Sequence, residues 1–343
     1  MTDLQAEMKR VKARVDELIL HQLLPRSSNI KEVNLLYRMM QDYPMRQAKG
    51  MRPFLCVTTC EAAGGKGDDA LLTAACIELF QNWILIHDDI EDGSELRRGE
   101  PALHRKYGAA LALNAGDALH ARTWEAILMN EKQLGLERTF DVMKEFSHMV
   151  NETTEGQHME LGWVVEGRWD LNEKDYYEMC TRKTSWYTVA SPCRLGAIVA
   201  GEGGSVLDQL REFGISLGIA FQIQDDSLNL AGDQRKYGKA KSDDILDGKR
   251  TLILLHLLAV ASQSERDKVI SIMNKKRETK SAADVDYVLS LIARYDAIGF
   301  ARKRAAELMK EAIMTLNGIR WKGDRTAAEM LTSFARFAVE REW

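Results

Sequence analysis

Residues 70–92 read ALLTAACIELFQNWILIHDDIED. From Ala70 to Ile86 the stretch is dominated by apolar side chains. Glu78, Gln81 and Asn82 interrupt it, and His87-Asp88-Asp89 ends it. A run this long, rich in Ala, Leu and Ile and free of proline and glycine, predicts a helix rather than a strand. Its length invites a transmembrane reading, but the polar interruptions and the acidic end predict the core helix of a globular protein, with no membrane span. Asp68 or Asp69 is the expected N-cap, and Gly93-Ser94 the expected stop.

The rest of the chain extends the same pattern. The 343 residues contain only 5 prolines, so long helices meet few breakers. Strand-like alternation of β-branched and aromatic residues does not persist beyond a few positions. Leu4, Met8, Val11, Val15 and Leu18, spaced by four and three, predict an amphipathic first helix ended by Pro25. Further helices are expected at about 30–43, 53–63, 68–91, 108–130, 136–162, 173–201 and 206–230, then from 251 to about 340 with breaks near Lys280 and Lys322. No repeat, low-complexity tract or linker divides the chain. The expected fold class is therefore all-α, a single large helical domain over residues 1–343.

Bulk chemistry excludes some functions. A net charge of -4 gives no reason to expect nucleic acid as a partner. The 5 cysteines are odd in number, sit in apolar helical surroundings and lack a second pair at metal spacing, which predicts reduced thiols. The first helix carries charges of both signs and no apolar core typical of a secretion signal, so the expected location is cytoplasmic.

Two acidic clusters carry the chemistry. In Leu85-Ile86-His87-Asp88-Asp89-Ile90-Glu91-Asp92, the carboxylates of Asp88 and Asp92 are four apart and share a helical face. In Phe221-Gln222-Ile223-Gln224-Asp225-Asp226-Ser227-Leu228-Asn229 the oxygen donors Asp225 and Asn229 repeat that spacing. A helix C-terminus already carries negative partial charge, so acids there require compensation. Aspartate oxygens suit a hard divalent ion such as Mg2+, which also binds phosphate oxygens. Basic residues flank both clusters: Lys49 and Arg52, Arg97 and Arg98, Lys183, Lys239 and Lys249. Together these residues describe a site for a diphosphate bridged by metal.

In this combination the motifs K-x-x-R-P, D-D-x-x-D, Arg-Arg, Lys-Thr and F-Q-x-Q-D-D, in that order from Lys49 onward, resemble the trans-isoprenyl diphosphate synthase (polyprenyl synthetase) family. The resemblance implies the isoprenoid synthase fold, helices packed around a central cavity, and a homodimer. It implies a magnesium-dependent prenyltransferase that joins isopentenyl diphosphate to allylic diphosphates. By the same likeness Asp88, Asp92 and Asp225 would hold Mg2+, and Asp89, Asp226 and Asn229 would support them or act through water. Arg97, Lys183, Thr184, Gln222 and Lys239 would grip the allylic diphosphate, with Lys249 closing the loop over it. Lys49, Arg52, Gln81 and Arg98 would grip isopentenyl diphosphate.

Three positions depart from the family pattern. Asn229 stands where a third aspartate is more frequent, and Ser242 where the loop often has glycine. Glu340-Arg341-Glu342-Trp343 lacks the basic tail that some relatives carry. Trp83 lies five residues before Asp88, about 7.5 Å along the axis and about 140° around it. The family pattern of a large residue there, beside Ile84 and with Phe80 one turn deeper, implies a short product stopped at Trp83. Geranylgeranyl diphosphate is the expected product and farnesyl diphosphate the next alternative. A class I terpene cyclase shares D-D-x-x-D, but residues 225–233, DDSLNLAGD, do not carry its usual second metal motif. The pair Glu155 and His158 suggests a di-metal bundle, which needs a second such pair.

Overall fold

The computed structural model describes residues 2–231 and 242–341. Leu4, Met8, Val11 and Val15 form one buried stripe of α1 (Thr2–Leu18), as their spacing requires. A π-helical turn, Ile19–Leu23, ends it before Pro25. Then follow α2 (Lys31–Met45), α3 (Met51–Ala62) and α4 (Gly67–Glu91). A short antiparallel hairpin, β1 (Leu96–Arg97) and β2 (Glu100–Pro101), leads into α5 (Leu103–Tyr107), α6 (Ala109–Leu128) and α7 (Glu131–Val165). Next come α8 (Glu173–Cys180), a π-helical stretch Thr181–Ala190, α9 (Ser191–Val199) and α10 (Ser205–Ala231). The remaining helices are α11 (Asp243–Asp247), α12 (Leu252–Val260), α13 (Gln263–Met273), α14 (Ala282–Arg294), α15 (Ala297–Asn317) and α16 (Arg325–Glu340).

The described residues are all-α apart from the short hairpin, which the strand-poor sequence hid together with the two π-helical stretches and the helix breaks after Val260 and Arg294. Asp68 and Asp69 are not N-caps. The N-cap is Lys66, so α4 starts at Gly67 and both acids lie in its first turn, where the positive end of the helix dipole favours them. Asn172, Ser262 and Ser281 instead make capping boxes for α8, α13 and α14. Among the described residues α4 alone is long and apolar enough to cross a membrane, and 67% of its most apolar window is buried inside the protein.

The described residues form two compact units. The first comprises Met1–His148, Thr188–Arg211 and Asn317–Phe334. In it α4 packs on α3, α6 and α9, and α3 packs on α9. The α3–α9 approach is close because Gly196 has no side chain: a Cβ there would stand 2.1 Å from the Cys56 carbonyl oxygen. The second comprises Met149–Tyr187, Glu212–Leu316 and Ala335–Trp343. Here two glycines admit the π-helical stretch. A Cβ on Gly156 would lie 2.1 Å from the Lys183 amide nitrogen, and one on Gly218 would lie 2.4 Å from the Ser185 Cα. The five cysteines are free and buried.

The contact at Gly196 sets a prediction for the first unit. Gly196→Ala forces backbone apart in a packed core and should destabilise the protein by about 1–3 kcal/mol, read as a lower urea midpoint in far-UV circular dichroism.

Candidate active site

At the end of α4 the three aspartates separate by geometry. Asp88 and Asp92 share a face and remain partly exposed, whereas Asp89 turns inward and is 0% exposed. A buried carboxylate needs partners, and Asp89 has them. The Tyr43 hydroxyl donates to it, and the same hydroxyl accepts the Leu103 N–H at 3.1 Å. Burial, with Asp89 alongside, pushes the Tyr43 phenol well above its usual pKa. Arg97 Nε reaches the two Asp89 oxygens at 2.9 and 3.1 Å, and Arg97 Nη2 reaches Asp88 at 3.0 Å. Burial works against the Arg97 charge, but Asp89 and Asp88 outweigh it and raise its pKa.

The hairpin aims these cations. Its two central residues, Arg98 and Gly99, have φ of 53° and 81°, the positive values a tight two-residue hairpin requires. Arg46 clamps the hairpin through the carbonyls of Arg97 at 2.8 Å and Pro101 at 2.9 Å. Arg98 Nη1 donates to the Tyr43 carbonyl at 2.9 Å. Burial depresses the Arg98 pKa; Glu78 opposes this, while Arg97, Arg52 and Arg46 add to the fall. Glu78 is itself buried and pushed up by burial, with Arg52 and Arg98 pulling it back. The structure therefore gathers Arg52 and Arg98 around Glu78, with Gln81 one turn further along α4. Arg52 also donates to Thr188 at 3.0 Å. Lys49 is half-buried in the turn before α3, next to Gly50 at φ 64°.

The second motif, in the second unit, repeats the division of labour. Asp225 is partly exposed and Asp226 is buried. The Tyr176 hydroxyl donates to Asp226 at 2.7 Å, and Gln222 Nε2 donates to its other oxygen at 2.8 Å. Thr184 in turn donates to Gln222 at 2.8 Å. Burial, with Asp244 nearby, pushes the Asp226 carboxyl well above the usual carboxylate range. Asn229 is buried, and its side-chain oxygen accepts the Asp244 N–H at 3.2 Å, so it anchors the turn into α11. Ser242 has φ 64°, a left-handed backbone that explains why glycine suits that position.

Lys183 lies on the π-helical stretch and pairs with Glu160 of α7. Lys249 follows α11, its N–H bonded to the Asp244 carbonyl at 2.9 Å. Lys239 lies outside the described residues. His87 faces α6, 3.4 Å from the Leu113 carbonyl. Trp83 is buried, stacked on His120 at 4.1 Å and edge-on to Phe80 at 5.3 Å, while Ile84 beside it is half-buried. Sequence reasoning missed Tyr43, Tyr176, Glu78, Glu160 and Arg46, none of which belongs to a motif. It also missed Arg341, whose guanidinium pairs with Asp225. A cleft of about 710 Å3 in the first unit, lined by residues such as Arg138, Lys144, His148 and Arg194, contains none of the predicted site residues. Among the described residues no three His, Cys, Asp or Glu side chains converge on a preformed metal site.

This is the arrangement of a helical diphosphate enzyme with two acidic motifs. The polyprenyl synthetase family matches residues 33–292, and the chain belongs to that family and is a prenyltransferase. It is 35% identical, over 86% of each chain, to the short-chain isoprenyl diphosphate synthase of Methanothermobacter thermautotrophicus. Its fold is similar to that of the geranylgeranyl pyrophosphate synthetase of Pyrococcus horikoshii, with a TM-score of 0.87, 32% identity and 99% of each chain covered. A geranylgeranyl pyrophosphate synthase of Corynebacterium glutamicum, solved with isoprenyl diphosphate and magnesium, has a TM-score of 0.89 at 25% identity, over 98% of this chain and 99% of that one.

The first motif's anchor can be tested alone. Tyr43→Phe removes a hydrogen bond to a buried, charged carboxylate and strands the Leu103 N–H. The expected loss is about 1.5–3 kcal/mol of stability, measured by chemical denaturation.

Proposed function

We propose that the chain condenses isopentenyl diphosphate with dimethylallyl, geranyl and farnesyl diphosphates, in the presence of Mg2+, to give all-trans geranylgeranyl diphosphate. The observation that carries this reading is the repeated acidic motif, in which one aspartate is locked inward by a tyrosine while its neighbours keep exposed oxygens. The chemistry of that donor set fits magnesium. Exposed carboxylates without a closed protein cage suit an ion that keeps water and shares phosphate oxygens.

Asp88, Asp92 and Asp225 would hold the metal, which when bound neutralises charge developing on the leaving diphosphate. Arg97, Lys183, Thr184, Gln222, Lys239 and Lys249 are assigned to the allylic diphosphate, and Lys49, Arg52, Gln81 and Arg98 to isopentenyl diphosphate. The allylic C–O bond breaks with its electron pair leaving on the diphosphate. The double bond of isopentenyl diphosphate attacks the resulting cation, and the proton lost in forming the new double bond passes to the departed pyrophosphate. Holding the two substrates in register supplies much of the remaining acceleration.

The family match runs through segments of both units, which supports one catalytic domain. Exposed Leu111, Leu113 and Leu128 on α6 and Phe140 on α7 support a homodimer that covers them. The free, buried thiols support a reducing cytoplasmic location.

Incubating the purified chain with Mg2+, isopentenyl diphosphate and each allylic starter tests the reading, with chromatography of the products. Geranylgeranyl diphosphate should accumulate. A cyclised hydrocarbon formed without consuming isopentenyl diphosphate would instead indicate a terpene cyclase. Asp88→Ala and Asp225→Ala should each lower turnover by roughly 10²–10³ or more; near-normal rates in either would contradict the metal assignment.

Product length rests on Trp83, which His120 and Phe80 hold on two sides. Trp83→Ala removes that stop and should shift the product distribution to chains longer than geranylgeranyl diphosphate. An unchanged distribution would move the stop elsewhere.

A further inference from the structure

Arg341, on the segment just after α16, is 8% exposed and sits on the second acidic motif by three contacts. Its guanidinium pairs with Asp225 Oδ1. The same group lies over the Phe221 ring, 4.0 Å from its centroid. Its carbonyl accepts the Gln224 side-chain N–H at 2.7 Å. Phe221, Gln224 and Asp225 belong to the F-Q-x-Q-D-D motif, so one residue is fastened to three positions of that motif. Arg341 Nε is buried without a hydrogen-bond partner among the described residues, so the guanidinium is held by Asp225 and the ring rather than by a full set of donors and acceptors.

A guanidinium and a divalent ion cannot both sit closely on one carboxylate without mutual repulsion. We propose that Arg341 competes with the divalent cation for Asp225, so that metal loading of the second motif displaces Arg341 and loosens the segment that carries it. The proposal rests on the reading of Asp225 as a metal ligand. It makes the last turns of α16 and Arg341 a reporter of the charge state of the site, and it assigns a role to a residue outside the motifs. The pair is open on its carboxylate side, with side-chain accessibility of 29% at Asp225 against 6% at Arg341, so an incoming ion meets Asp225 before it meets the guanidinium.

The test is Mn2+ binding to the full chain, followed by loss of the free-ion electron paramagnetic resonance signal. Arg341→Gln keeps a polar side chain and removes the competing charge. It should tighten Mn2+ binding by about three- to tenfold, whereas Arg341→Lys, which retains the charge, should stay within about twofold of the parent chain. Unchanged or weaker binding in Arg341→Gln overturns the proposal. Asp225→Asn separates the two layers. If it leaves Mn2+ binding untouched, Asp225 is not a ligand and the metal reading of the second motif fails. If it weakens binding while Arg341→Gln has no effect, only the competition fails. A measurement on the unaltered chain covers the case of a misfolded variant: amide exchange across residues 335–341 should speed up on adding Mn2+, and an unchanged rate counts against displacement.

Discussion

A carboxylate on an apolar helix is an unfavourable object, and the structure solves that problem in the same way twice. Hydrophobic neighbours withhold water, and at the end of α4 the helix dipole is already negative. In each motif one aspartate is buried and tied to a tyrosine: Asp89 to Tyr43, and Asp226 to Tyr176. Fixing that side chain fixes the helix rotation, because adjacent positions on a helix are about 100° apart. Asp88 and Asp92, or Asp225, are then presented outward by default. The exposed oxygens are positioned by what happens to the buried one.

The cations follow from that constraint. Arg97 braces both Asp88 and Asp89, and it can do so because Arg98 and Gly99 accept positive φ in the hairpin. Arg98 and Arg52 share the buried Glu78, so the first unit concentrates positive charge without leaving it wholly uncompensated. In the second unit the equivalent device is backbone proximity. Gly156 and Gly218 allow α7 and α10 to press against the π-helical stretch, which brings Lys183 to Glu160 and Thr184 to Gln222. π-helical turns are uncommon and often mark functional positions, and here the wider turn carries Lys183 and Thr184, the two adjacent side chains proposed for the allylic diphosphate.

What the sequence could express was local. The apolar run ending at Asp88, the helix breaks near Lys280 and Lys322, and the i,i+4 carboxylates depend on neighbours a few residues away, and all were legible. The N-cap of α4 was displaced by two or three residues, from Asp68 or Asp69 to Lys66, because an acid in the first turn and an acid at the N-cap look alike in sequence. The hairpin escaped because each of its strands is two residues long, too short to show alternation. The tyrosine anchors escaped for a different reason: Tyr43 lies 46 residues from Asp89, and Tyr176 lies 50 from Asp226. Nothing near either tyrosine marks it as a partner. The family resemblance proposes which carboxylates hold the metal, and only the packing explains why the second aspartate of each motif is there.

Two of the outward-facing motif carboxylates, Asp88 and Asp225, also share a property that the family pattern does not suggest. Each is already matched by a guanidinium: Asp88 by Arg97, and Asp225 by Arg341. The first partner is nine residues away on a tight turn, and it holds two carboxylates at once, one of them buried. Such a cation is part of the scaffold, since releasing it would strand Asp89 in an apolar interior. The second partner is 116 residues away, holds one partly exposed carboxylate, and stacks on the uncharged Phe221 ring. The same pairing therefore has opposite consequences in the two motifs. Where the guanidinium also serves a buried charge it stays and shapes the site, and where it serves only an exposed one it can yield to a stronger cation.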